Sequence, residues 1–293
     1  MFKGSIPALV TPMGADGAID LESWDRLLDF HLREGSDGVV VGGTTGESPT
    51  LGEAELVELV RRAGARVAGR IPVIAGSGTN DTMRSVALSR AAAAAGADAL
   101  LVVTPYYNKP TQEGLFRHFS AIADAVSIPV ILYNVPGRTA CDLLPETIAR
   151  LSLHPRIVGV KEATGEVARG VEVLRVAKPG FLLISGDDPS VVRLMKEGAC
   201  GVISVTANVA PRAMHEMCAA ALQGRHDDAA ALDVRLAPLH GALFVEANPI
   251  PVKWAVHRLG LVGPALRLPL TPLSAAHHAN VEAAMVAAGL ALA

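Results

Sequence analysis

The sequence predicts an α/β protein, a closed parallel (β/α)8 barrel of the TIM type with a C-terminal helical extension. Eight short runs rich in β-branched residues recur along the chain, each followed by a longer stretch of helical period. The runs are apolar throughout instead of alternating, as a sheet buried on both faces requires, and regular β-then-α order forces parallel pairing through crossover helices. An open doubly wound sheet would show a glycine fingerprint after its first strand and more polar edge runs. Neither is present. The length of 293 residues admits one barrel or two ordinary domains, so the pattern decides.

SIPALV at 5–10 opens the barrel. LESWDRLLDFHLREG at 21–35 places apolar residues three and four apart and closes on glycine, a helix with its stop signal. DGVVV (37–41), PVIAG (72–76), DALLVV (98–103), PVILYN (129–134), IVGVKEA (157–163), FLLISG (181–186) and GVISV (201–205) are the remaining strands. The alanine run at 91–95 favours a helix able to approach its neighbour closely. A further helix near 210–223 completes a catalytic barrel over 1–223, and residues 224–293 read as a helical extension packed on it and used for subunit contact. The tail VEAAMVAAGLALA (281–293) is apolar but short and broken by glycine. It predicts a terminal helix over the core, not a membrane anchor.

Composition narrows the function classes. With 26 basic and 29 acidic side chains there is no basic footprint for nucleic acid. A 50% hydrophobic content argues against disorder. No apolar stretch reaches the length of a membrane span and no secretory leader is evident, so no membrane partner and a cytoplasmic location are expected. Cys141, Cys200 and Cys218 are scattered and outside any CxxC pair, and the histidines lack HExxH or HxH spacing. No metal ligation is expected.

In such a barrel the chemistry lies at the C-terminal strand ends. The turn GGTTGES (42–48) follows the second run, Tyr106-Tyr107 the fourth, and Tyr133-Asn134 and Arg138 the fifth, while Lys161-Glu162 end the sixth. Lys161 interrupts an otherwise apolar strand. A buried unpaired ammonium is costly and is relieved by loss of its proton, and a neutral amine attacks carbonyls. The bland alternative pairs Lys161 with Glu162. Tyr133, ending the neighbouring strand, is placed to shuttle protons. All three tyrosines of the chain fall at strand ends, which core packing explains less well than chemistry does. The GGTTGES turn offers backbone N–H groups and hydroxyls to a carboxylate or phosphate, and Arg138 suits a carboxylate. Lys253 falls in a helical period outside the barrel and reads as a snorkelling surface residue.

Taken together, GGTTGES, TPYYNKPTQEG, YNVPGRT, VGVKEA, SGDD and NPIPVKWA closely resemble the dihydrodipicolinate synthase (4-hydroxy-tetrahydrodipicolinate synthase) family, within the pyruvate-dependent class I aldolases. The resemblance runs from SIPALVTP to NPIPVKWA. It implies that Lys161 forms an imine with pyruvate and that Tyr133 exchanges protons through a relay with Thr44 and Tyr107, the last entering from a neighbouring subunit. It further implies that Thr45 and Ile203 hold pyruvate, and that Arg138 and Gly186 serve L-aspartate 4-semialdehyde. The implied product feeds diaminopimelate and lysine synthesis. The same resemblance implies no cofactor, and a homotetramer built as a dimer of dimers. An N-acetylneuraminate or 2-keto-3-deoxy sugar acid lyase would share the lysine and tyrosine, but Arg138 and the double tyrosine favour a short acidic aldehyde. The family's lysine-inhibited members bind that ligand through a glutamate. Arg84 stands there, with Glu53 and Leu56 in place of histidines, while Ser48, Asn80 and Tyr106 remain. Weak or absent inhibition by lysine is expected.

Overall fold

The protein is described from a computed structural model covering residues 2–292. Met1 and Ala293, the outer ends of the expected barrel and extension, lie outside the described residues. All eight apolar runs are strands: β1 (Gly4–Pro7), β2 (Val39–Val41), β3 (Val73–Gly76), β4 (Ala99–Val103), β5 (Val130–Asn134), β6 (Ile157–Glu162), β7 (Leu182–Ser185) and β8 (Gly201–Ser204). Strands β2 to β8 lie in sequence order as parallel neighbours, and β1 pairs with β8. A parallel bridge between Ala8 and Val40, with the Leu9 N–H donating to the Val40 carbonyl at 3.0 Å, closes the ring between β1 and β2.

Because side chains alternate along each strand, the core divides in two. Ile6, Val40, Ile74, Leu101, Ile131 and Ile184 point inward and fill the barrel. Val39, Val41, Ala75, Leu100, Leu132 and Val202 belong to the layer between strands and helices, which also holds Trp24, Leu59 and Phe119. Full burial of large apolar side chains contributes about 1.5–3 kcal/mol each. The first helix, Leu21–Glu34, starts where the Asp20 side chain accepts from the Ser23 N–H at 2.9 Å and stops at Gly35, φ 84°. The glycine serves as the left-handed stop that the sequence announces.

One irregularity shapes the site. Val130 pairs with Ile157 but Ile131 pairs with Gly159, so Val158 is an extra residue and β6 carries a bulge. Beyond it the register runs Leu132 with Val160 and Tyr133 with Lys161.

After β8 come the helix Pro211–Leu222 and then the helices His226–Ala242, Ile250–Arg258 and Ala275–Ala287. The last of these buries Val281, Ala284 and Met285. Among the described residues no helix is long and apolar enough to cross a membrane. Cys141 and Cys218 are buried and Cys200 partly so, all three as free thiols.

Candidate active site

Register brings the two principal residues together. Lys161 pairs with Tyr133 of β5 on one side and with Ile184 of β7 on the other. Tyr133 and Ile184 both belong to the inner cluster, so the lysine shares their inward face. The residue is 6% exposed, and its Nζ lies 4.3 Å from the centroid of the Tyr133 ring. A primary amine is thus held beside a phenol at the C-terminal mouth of an apolar barrel.

Lys161 and Glu162 are adjacent on β6 and point to opposite faces, which removes the bland pairing. The Glu162 carboxyl accepts instead from Asn134 Nδ2 at 3.1 Å and from the Thr164 N–H at 2.9 Å. Burial raises its pKa above the usual glutamate value. Asn134 also donates to Asp142 Oδ1 at 2.8 Å, and Arg169 grips Asp142 with two bonds of 2.9 Å. This polar layer braces the ends of β5 and β6 from behind the site.

Gly186, just after β7, is required by close approach. A Cβ there would come within 2.9 Å of Lys161 Cε and 2.5 Å of Ala163 Cβ. Ile203 of β8 is buried in the same inner cluster.

The segment after β2 folds as two consecutive 3-10 turns, Thr44–Gly46 and Ser48–Thr50, joined at Glu47. The first N–H groups of such a turn have no partner within it. Thr45 is buried, and its Oγ1 accepts from Asn248 Nδ2 at 3.0 Å. Arg138 lies in the short helix Pro136–Thr139, and its Nη2 donates to the Asn248 carbonyl at 3.3 Å. Asn248 therefore links Thr45 to Arg138. A cavity of about 260 Å³ opens beside the turn, lined in part by Thr44, Ser48, Leu56, Arg84, Tyr106 and Arg138.

Tyr107 does not join the others within one chain. It is 88% exposed, at φ 75°, on a loop tied down by Asn108 Nδ2 donating to the Asn80 carbonyl at 2.8 Å.

Lys253 overturns its sequence reading. It is fully buried, not a surface residue, and its Nζ meets Glu47 Oε1 at 2.5 Å with side-chain exposures of 0% and 1%. Burial lowers its pKa, and the Glu47 carboxylate opposes that shift. Sequence reasoning assigns no role to Asn248 or Glu47. The available signal for Asn248 and Lys253 is their presence in NPIPVKWA, and for Glu47 its place in GGTTGES.

Residues 1–288 match the dihydrodipicolinate synthetase family. A 4-hydroxy-tetrahydrodipicolinate synthase of Stutzerimonas stutzeri is 59% identical over 290 residues, covering 99% of both chains. The enzyme of that name from Pseudomonas aeruginosa is 56% identical over 290 residues, again covering 99% of both. Among solved structures, the chloride-inhibited dihydrodipicolinate synthase of Acinetobacter baumannii complexed with pyruvate superimposes with a TM-score of 0.97. It is 48% identical, with 99% of each chain covered. The chain belongs to the dihydrodipicolinate synthetase family, lyases of the class I aldolase type.

Proposed function

We propose that the chain condenses pyruvate with L-aspartate 4-semialdehyde to 4-hydroxy-2,3,4,5-tetrahydrodipicolinate, with Lys161 as the Schiff-base nucleophile. The observation that carries the assignment of roles is the inward-facing, buried Lys161 beside the Tyr133 ring. The Lys161 amine attacks the keto carbon of pyruvate, and water leaves as the imine forms. Tyr133 gives and takes the protons of these steps, exchanging them through Thr44 and the partner's Tyr107. Loss of a methyl proton makes the enamine, whose carbon attacks the aldehyde. The amino group of the second substrate then attacks the imine carbon, closes the ring and expels Lys161.

Thr45 and the backbone amides of Thr44 and Thr45 seat the pyruvate carboxylate, with Ile203 against the substrate. Arg138 takes the carboxylate of the semialdehyde, and Gly186 leaves room for it and for the lysine. The pyruvate named in the Acinetobacter structure supports the first substrate. The exposure of Tyr107 supports a site completed across a dimer, and two dimers form the tetramer. The barrel over 1–223 is the catalytic part and 224–293 the extension, in a cytoplasmic enzyme. Arg84, lining the cavity beside Ser48 and Tyr106, repels a cationic effector. Lysine at micromolar concentration should leave a steady-state assay unchanged, and half-inhibition there would contradict this.

Borohydride reduction with pyruvate, followed by peptide mass spectrometry, tests the central assignment. A pyruvyl adduct on Lys161 is expected. An unmodified Lys161 would remove the aldolase mechanism from this site.

A further inference from the structure

The C-terminal extension reaches the turn after β2 at three points. Lys253 Nζ meets Glu47 Oε1 at 2.5 Å, the Arg267 backbone N–H donates to Glu47 Oε2 at 3.0 Å, and Asn248 Nδ2 donates to Thr45 Oγ1 at 3.0 Å. Both oxygens of the Glu47 carboxylate are therefore gripped, from two separate segments of the extension.

Stability alone explains this arrangement poorly. Removing two charges from water costs about as much as their attraction returns, and apolar residues of similar volume would serve as well. Glu47 is distinguished by its backbone. It sits at φ 60° and ψ 38°, a left-handed conformation unfavourable for a residue with a Cβ, and its N–H closes the 3-10 turn on the Thr44 carbonyl at 3.1 Å. Its own carbonyl accepts from the Thr50 N–H at 3.0 Å and from Thr50 Oγ1 at 3.1 Å. Strained backbone persists only where its surroundings over-determine it. The two-sided grip on the carboxylate does that here.

We propose that Lys253 is a positioning residue for pyruvate: by fixing Glu47 it holds the Thr44-Thr45 amides in the geometry that receives the substrate carboxylate. The proposal rests on the reading of that turn as the carboxylate seat. Lys253 acts through Glu47 and touches no reacting atom. The Arg267 guanidinium bonds both oxygens of Glu55 at 2.8 and 2.5 Å, the Thr50 carbonyl at 2.7 Å and the Gly17 carbonyl at 2.9 Å, and leaves the Glu47 carboxylate to Lys253 and the Arg267 backbone N–H.

Lys253→Met leaves a buried carboxylate without its cation and can fail to fold, so the informative variant is Lys253→Met combined with Glu47→Gln. That double variant keeps the volume and removes both charges. Steady-state kinetics on the purified full chain should give a pyruvate KM raised about tenfold or more, with kcat at saturating pyruvate and the semialdehyde KM each within about threefold of the parent. Borohydride trapping at saturating pyruvate should still label Lys161. An unchanged pyruvate KM would overturn the proposal. So would a joint loss of kcat and both substrates' binding, or a double variant that does not fold, since the pair would then support the fold and not the turn. Thr45→Val, measured alongside, separates the two levels. If it leaves the pyruvate KM unchanged, the carboxylate-seat reading fails.

Discussion

Lys161 faces the barrel axis because β6 carries one residue more than β5 across the bulge at Val158. Strict alternation counted from Ile157, which faces the helices, would send Lys161 outward with it. Sequence alone marks the lysine as the residue that interrupts an apolar strand, but not the face it takes. Gly186 is legible only through the resemblance, and its physical reason is the space that the Lys161 chain occupies. Gly186→Ala should therefore displace Lys161 and reduce kcat/KM by about a hundredfold while the protein remains folded, as checked by kinetics alongside circular dichroism. Lys253 escapes a reading from sequence because its partner, Glu47, is 206 positions away. Helical period reports which residues share a face, not what covers that face.

At the scale of elements, the strands are the most legible part, since runs buried on both faces cannot be mistaken for alternating ones. Their ends are less so. SIPALV reads as strand to residue 10, whereas β1 stops at Pro7, after which the chain bends to bridge β2 through Ala8. The loop after β4 shows the same limit in another form. Tyr107 stands out in the sequence as a candidate, but its backbone at φ 75° and its projection away from its own barrel come from tertiary context. If the partner's Tyr107 completes each site, inactive Tyr107→Phe and Tyr133→Phe chains should complement. Dissociated, mixed and reassociated in equal amounts, they should form about half hybrid dimers with one intact site each, restoring about a quarter of parental activity. No recovery in mixtures verified as hybrid by native mass spectrometry would place Tyr107 outside the site.

For the whole molecule, two buried histidines set an acid limit. Burial lowers His31 to about 3 and His118 to about 4, against an ordinary value of 6.5. Between the lowered and the ordinary values the unfolded chain binds protons that the native chain refuses, so stability falls as pH drops below 6.5. At about pH 5 the loss is about 1–2 kcal/mol for each histidine. Urea unfolding at neutral pH and at about pH 5 should show it, and a His31→Gln/His118→Gln variant, though less stable at neutral pH, should lose less on acidification. An equal loss in parent and variant would assign the acid sensitivity to other groups.

The dependence of the mouth on the extension also bears on the order in which the enzyme is made. All eight strands precede residue 205, whereas the groups that fasten the turn after β2, from Asn248, Lys253 and Arg267, are synthesised later. During vectorial synthesis all eight strands therefore emerge before the groups that fasten this turn. If the turn seats pyruvate as proposed, a nascent chain should bind pyruvate poorly until the extension has docked, and competence for catalysis would then report on completion of the polypeptide.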